Sequence, residues 1–287
     1  MKESARKRVG FIGAGKAGVS MGKLLAEKCG SGSLSGYFSK TPASAAAAAV
    51  FTDSCRFATA QELIAASGVV FVTVPDGVIS ELWAEVNQTP AATGRVFCHM
   101  SGSLTSEAFA GAGRIGAHAC SFHPLCAISD KNASWETLGR AYFTFEGSDE
   151  AYAALEPFIH GAALRTEKLD ASKKALYHAA CVYLSNFVVG LAHEGERLLR
   201  ESGLPADFAK EAWHSLFFEN ARNIVNKGSV AALTGPAERG DTDTVRRHLA
   251  MLDGGERTLY VAMTRILAGI AEKKHPDRDY SALHALR

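Results

Sequence analysis

The segment from Arg8 to Glu27, RVGFIGAGKAGVSMGKLLAE, constrains the fold more than any other part of the chain. Val9, Phe11 and Ile12 make a short apolar run of the kind buried in parallel sheets. After Gly18 the apolar residues Val19, Met21, Leu24, Leu25 and Ala26 recur at helical spacing. The glycines therefore sit on a strand-to-helix turn, where each has its own task. Gly13 permits the tight bend, Gly15 lets a pyrophosphate approach the backbone, and Gly18 allows close helix–strand packing. The free N–H groups and positive dipole of the helix start would face the phosphates. The bare GxGxxG pattern is weak, and its strand-to-helix context is what gives it weight.

The rest of the first half alternates in the same way. Leu34 to Phe38 reads as a second strand, and TPASAAAAA as a helix with Pro42 in its first turn. Cys55 to Ala58 is a short third strand, and TAQE, Thr59 to Glu62, has capping-box form. GVVFVTVPDG, GRVFCHMSGS and RIGAHACSFHP each run through a strand to polar residues, Asp76, Ser101 and His123 respectively. AYFTFEG and AALRT add strands around a helix near Glu150 to His160. Such alternation predicts an α/β, doubly wound and mostly parallel sheet of Rossmann type over residues 1–168. From about Asp170 every stretch reads as helix, beginning with one long pattern, SKKALYHAACVYLSNFVVGLAHEGERLLRESG, closed by Gly203 and Pro205. Residues 169–287 are therefore expected to form an all-helical domain.

Composition narrows the function. The chain has 287 residues, 47% hydrophobic and 21% charged, with a formal charge of +1. These are globular values with no bias toward nucleic acid or an anionic membrane. No apolar run is read as approaching the roughly 20 residues of a membrane span. The basic start, MKESARKRVGF, has no separate apolar leader segment, so cytoplasmic residence is expected. Six cysteines without a CxxC pair read as reduced. HACSFHPLC gathers His118, Cys120, His123 and Cys126, but not at the paired spacing of structural zinc, and no metal is expected.

An acid about 20 residues past the glycines grips the ribose of NAD, and a basic residue there accommodates the extra phosphate of NADP. Between Glu27 and Asp53 this sequence has no acid, and YFSKT offers Ser39, Lys40 and Thr41 instead. NADP(H) is the expected cofactor, held by Gly13, Ala14, Gly15, Lys16, Ala17, Gly18, Ser39, Lys40 and Thr41, with Val74, Pro75 and Asp76 at the fourth strand's end. Ligands of open α/β sheets lie beyond the strands' carboxyl ends, which points to Ser101, Gly102 and His123. On the long helix Lys174 and His178 are four residues apart and share a face, with Ser185 roughly in line and Asn186 about 80° further round. A hydride arriving at a carbonyl or imine carbon calls for a proton donor or cation nearby, and Lys174 or His178 can serve.

GAGKAG, VTVPD, HMSGSLTS, FHPL, KKALYHAACVYLSNF and LTGPAERGD together resemble a two-domain family of Rossmann-like oxidoreductases whose C-terminal half is known as a domain of unknown function. That family is similar to pyrroline-5-carboxylate reductase, 6-phosphogluconate dehydrogenase and the β-hydroxyacid dehydrogenases. The resemblance implies a 6-phosphogluconate-dehydrogenase-like helical domain and a catalytic lysine at Lys174. The residue four positions on, asparagine in the hydroxyacid enzymes, is His178 here, and Asn186 lies further along. By this resemblance TGPAERGD, Thr234 to Asp241, would line the cleft from the partner subunit of a dimer, with Arg239 anchoring a substrate carboxylate or phosphate. The expected activity is hydride transfer between NADP(H) and a small anionic carbonyl or imine substrate. Lys174, His178, Ser101 and His123 would be catalytic, Gly102, Asn186 and Arg239 would bind substrate, and the protein would be a homodimer through its helical domain. A ketopantoate-type or imine reductase, or an NADP(H)-sensing regulator without turnover, are the alternatives.

Overall fold

The computed structural model describes residues 8–287, and the basic stretch Met1–Lys7 lies outside the described residues. The chain divides into two compact units, one ending at Val189 and the other beginning at Gly190.

In the first unit, β1 (Val9–Ile12) leads into α1 (Lys16–Cys29). Then follow β2 (Leu34–Phe38), α2 (Pro42–Phe51), β3 (Cys55–Arg56), α3 (Ala60–Ala66), β4 (Val69–Val72) and α4 (Asp76–Val86). After β5 (Val96–His99) and β6 (His118–Pro124) come α5 (Ser134–Leu138), β7 (Tyr142–Gly147), α6 (Asp149–Gly161), β8 (Arg165–Lys168) and α7 (Lys174–Leu184). The strands form one eight-stranded sheet in the order β3-β2-β1-β4-β5-β6-β7-β8. Every pairing is parallel except β6 with β7, which is antiparallel. The order reverses direction between β1 and β4, the switch point at which doubly wound sheets open a crevice.

Both faces are buried, so the central strands carry unbroken apolar runs. Phe11, Tyr37, Phe71 and Phe122 lie in the core on one face, and Phe97, Trp83 and Phe109 on the other. Phe11 stacks on Tyr37 with ring centroids 5.0 Å apart. Helix α1 presses close enough that a Cβ on Gly22 would fall 1.7 Å from the Tyr37 hydroxyl. The capping box is present, with Thr59 Oγ1 accepting the Glu62 N–H at 3.2 Å and the Glu62 carboxylate accepting the Thr59 N–H.

The single long helix expected from Ser172 onward is broken. Helix α7 ends at Leu184, Ser185 adopts φ −131° and ψ −75°, and α8 (Asn186–Glu201) begins beyond it. The Ser185 hydroxyl donates to the Cys181 carbonyl at 2.6 Å, the backward side-chain bond that competes with helical backbone pairing.

The second unit contains α9 (Ala206–Glu211), α10 (His214–Ala232), α11 (Pro236–Arg239), α12 (Thr242–Leu249), α13 (Gly254–Lys274) and α14 (Ser281–His284). Helix α10 kinks at Gly228, which has φ +77°. Its core comprises Ala237, Val245, Leu249, Val261, Ala268, Ala271, Tyr280 and Leu283. One segment does meet the length and apolarity of a membrane span, contrary to expectation. Ala171–Glu201 contains an 18-residue window of mean hydropathy 1.4, none of it buried. The cause is the run from Ala175 to Ala192, which has no Asp, Glu, Lys or Arg although it includes Tyr177, His178, Ser185 and Asn186.

Candidate functional site

The glycine turn joins β1 to α1 as expected, and the three glycines are not equivalent. Gly13 has φ +107°, and a Cβ there would lie 2.7 Å from the Thr73 carbonyl oxygen. A Cβ on Gly18 would lie 2.3 Å from Thr73 Oγ1. Both positions are therefore required by the protein's own packing. A Cβ on Gly15 would meet nothing nearer than 3.9 Å, so nothing within the chain demands glycine there. The open space at Gly15, and a helix start with no side-chain cap, suit a bound pyrophosphate. Thr73, absent from the sequence-based assignment, closes the turn by donating from Oγ1 to the Gly13 carbonyl at 3.0 Å. Ala14 is buried beneath the turn, Lys16 is exposed at its mouth and Ala17 is half-buried.

The turn is tied to β2, because Gly13 N–H donates to the Phe38 carbonyl at 2.8 Å. Ser39, Lys40 and Thr41 follow directly, with the Thr41 N–H donating to Ser39 Oγ at 3.2 Å and Lys40 exposed. The triplet thus sits where a nucleotide's ribose substituent would lie in this fold. Val74, Pro75 and Asp76 occupy the end of β4, with Asp76 in the first turn of α4.

Beyond β5 and β6 a dense polar network fixes the loop SGSLTS. Ser101 Oγ donates to Asp76 Oδ2 at 2.6 Å, and Ser103 Oγ donates to the same oxygen at 3.1 Å. Ser101 N–H donates to His99 Nδ1 at 3.2 Å, which leaves the proton of a neutral His99 on Nε2, facing the Thr105 carbonyl at 3.0 Å. Burial lowers the pKa of His99, in keeping with that neutral form. Buried Glu146 on β7 accepts from Ser106 N–H and Oγ, each at 2.7 Å.

Helix α7 contributes two contacts to β6. Lys174, 1% exposed, donates from Nζ to Ser121 Oγ at 2.6 Å, and Ser121 Oγ donates on to the Ser101 carbonyl at 3.2 Å. One helical turn later Tyr177 Oη lies 2.7 Å from His123 Nδ1, with the rings nearly perpendicular. Burial pushes the Lys174 pKa down, and the Glu146 carboxylate opposes that shift. Burial, followed by the charges of Lys174 and His178, brings the His123 pKa down to about 4. His178 edges the same space, since a Cβ on Gly102 would be 2.7 Å from His178 Cδ2 and 2.8 Å from His123 Nε2.

The structure therefore gathers Asp76, Ser101, Gly102, His123, Lys174 and His178 at the carboxyl ends of β4, β5 and β6. Ser121 and Tyr177 belong to this group and were missed from sequence. Each is the strand or helix neighbour of a residue that was found, Ser121 two before His123 and Tyr177 three after Lys174. Asn186 is exposed, with its side-chain amide 3.0 Å from Ser185 Oγ. The residues of HACSFHPLC are divided, with Cys120 in the core and His123 paired to Tyr177.

In the second unit Arg239 is exposed, 4.0 Å from Asp241 Oδ2. Around it the TGPAERGD segment is held by Glu238, whose carboxylate pairs with His275 and, at 3.7 Å, with Lys274. The Glu238 carbonyl accepts from Tyr280 Oη at 2.7 Å, and Asp241 Oδ1 caps α12 through the Thr244 N–H.

The fold is that of a doubly wound nucleotide-binding sheet followed by an all-helical unit. A Rossmann-like domain model matches residues 2–124, and the model of a domain of unknown function, DUF2520, matches residues 141–266. The chain carries these two domains in sequence, the arrangement its motifs resemble. Protein TM1727 from Thermotoga maritima is similar at 24% identity, covering 93% of this chain and 99% of that one with a TM-score of 0.74. An imine reductase from Myxococcus stipitatus, solved as a variant with NAD+, aligns at 14% identity over 96% and 98% with a TM-score of 0.62. A reductive aminase from Aspergillus terreus, solved with NADPH and ethyl-5-oxohexanoate, aligns at 18% identity over 96% and 98% with a TM-score of 0.59. Among curated proteins none matches this chain.

Proposed function

We propose that the protein is an NADP(H)-dependent oxidoreductase that transfers hydride to a carbonyl or imine carbon of a small anionic substrate, as a cytoplasmic homodimer. One observation carries this reading. The glycine position that packing does not require, Gly15, opens at the same carboxyl edge of the sheet as Ser101, His123, Lys174 and His178. The solved relatives that hold NAD+ and NADPH support a nicotinamide cofactor. The absence of an acid between Glu27 and Asp53, with Lys40 in its place, favours the phosphorylated form. When bound, the cofactor supplies or accepts the hydride. Ser101 and Gly102 flank the reacting centre, His123 and His178 offer polar edges to the heteroatom, and buried Lys174 supplies positive charge from behind Ser121.

Fluorescence titration with NADPH and NADH, followed by NADPH oxidation against keto acids and cyclic imines, tests the proposal. Tight NADPH binding with turnover of one panel member is expected. Equal affinity for the two nucleotides would remove the NADP assignment. Binding without turnover of any substrate would favour a regulatory, nucleotide-sensing protein.

A further inference from the structure

The pairing of Tyr177 with His123 deepens this reading, on which its catalytic meaning rests. We infer that Tyr177 is a positioning residue. Its phenol donates to His123 Nδ1 and holds the imidazole as the tautomer whose Nε2–H is aimed past Gly102, a neutral hydrogen-bond donor for the substrate heteroatom.

A neutral imidazole has one donor and one acceptor nitrogen, and the partner of one nitrogen decides the role of the other. Tyr177 Oη is 2.7 Å from Nδ1, a separation in the range of bonds donated by O–H and shorter than the usual N–H···O distance. Of the two possible donors the phenol is the stronger acid, and the imidazole nitrogen is a better acceptor than a phenol oxygen. Burial raises the Tyr177 pKa, so its proton stays on. Nδ1 is thus the acceptor and Nε2 carries the hydrogen. That nitrogen faces Gly102, where a Cβ would stand only 2.8 Å away, so glycine keeps its approach open.

The groups bearing on His123 agree with a neutral ring. Burial is the largest effect, Lys174 and His178 on α7 and His99 on β5 add to it in disfavouring its charge, and Asp76 on α4 opposes them. Thr144, opposite His123 in the β6–β7 register, also bears on the Tyr177 phenol and lowers its pKa, in the sense of a hydroxyl donating to Oη.

The test is 15N NMR of the full chain labelled at histidine, titrated from pH 8 to pH 4. The expected wild-type result is an Nε2–H, Nδ1-unprotonated His123 that remains neutral through pH 6. Tyr177→Phe should turn this single tautomer into a mixture and leave the NADPH dissociation constant within twofold. A wild-type His123 carrying its hydrogen on Nδ1, or charged at pH 7, overturns the inference without need of a variant. So does a Tyr177→Phe protein whose tautomer is unchanged. Failure to bind NADPH would instead sink the oxidoreductase assignment and leave the tautomer result standing.

Discussion

At the scale of single residues, the buried ammonium of Lys174 has the widest reach. It hydrogen-bonds Ser121, lies 5.9 Å from the centre of the Tyr177 ring, and lowers the proton affinity of His123. Lys174→Met should therefore raise the His123 pKa from about 4, and an NMR titration showing no change would mean the charge is not felt. Replacing Lys174 or His178 should lower kcat and kcat/KM together by on the order of 10²- to 10⁴-fold with NADPH affinity preserved. If the two act as a unit, the double replacement should cost little more than the worse single one. Lys40→Ala should weaken NADPH by about 1–3 kcal/mol and leave NADH nearly unchanged, as competitive titration would show. The buried histidines also set a pH dependence. His99 and His123 have folded pKa values below their ordinary 6.5, so the unfolded chain binds protons that the folded chain refuses. Their contribution to stability is present above about pH 6.5 and is lost as pH falls toward 4. Urea midpoints should decline across that window, and less steeply in His123→Gln.

At the scale of elements, what was legible from sequence was local. The glycine turn, the capping box at Thr59 and the strand ends at Asp76, Ser101 and His123 depend on residues within a few positions of one another. The pairs Lys174–Ser121 and Tyr177–His123 join residues 53 and 54 positions apart, beyond the reach of periodicity. They do obey a simple rule. Residues two apart on a strand share a face, as do residues three or four apart on a helix, so two matched pairs arise where α7 crosses β6. The helix break at Ser185 was hidden because the apolar periodicity runs through it, and only the side-chain bond to Cys181 marks it. Packing of α1 on β2 gives a further test. Gly22→Ala places a methyl group against the Tyr37 hydroxyl and should cost about 1–3 kcal/mol, read as a lowered thermal midpoint. Tyr37→Phe should recover part of that loss.

At the scale of the molecule, the second unit leaves Leu216, Phe218, Leu259 and Ile266 between 43% and 73% exposed. Val261, on the same helix as Leu259 and Ile266, is in the core. A groove of about 650 Å³ between α8 and α13 is lined by Leu191, Leu198, Leu252, Leu259 and Met263. Apolar surface on this scale calls for a cover. Light scattering at micromolar concentration should give the mass of a dimer, and a strictly monomeric mass would refute that assignment. The first unit makes a different experiment possible. Because Gly13 and Gly18 are held by packing and Gly15 is not, Gly15→Ala should disturb folding by less than about 1 kcal/mol while crowding a phosphate. In a living cell it would act as a separation-of-function allele, yielding normal amounts of protein that no longer engage the nucleotide. Its phenotype beside that of a deletion would show which of the protein's duties depend on the nucleotide and which on the presence of the polypeptide.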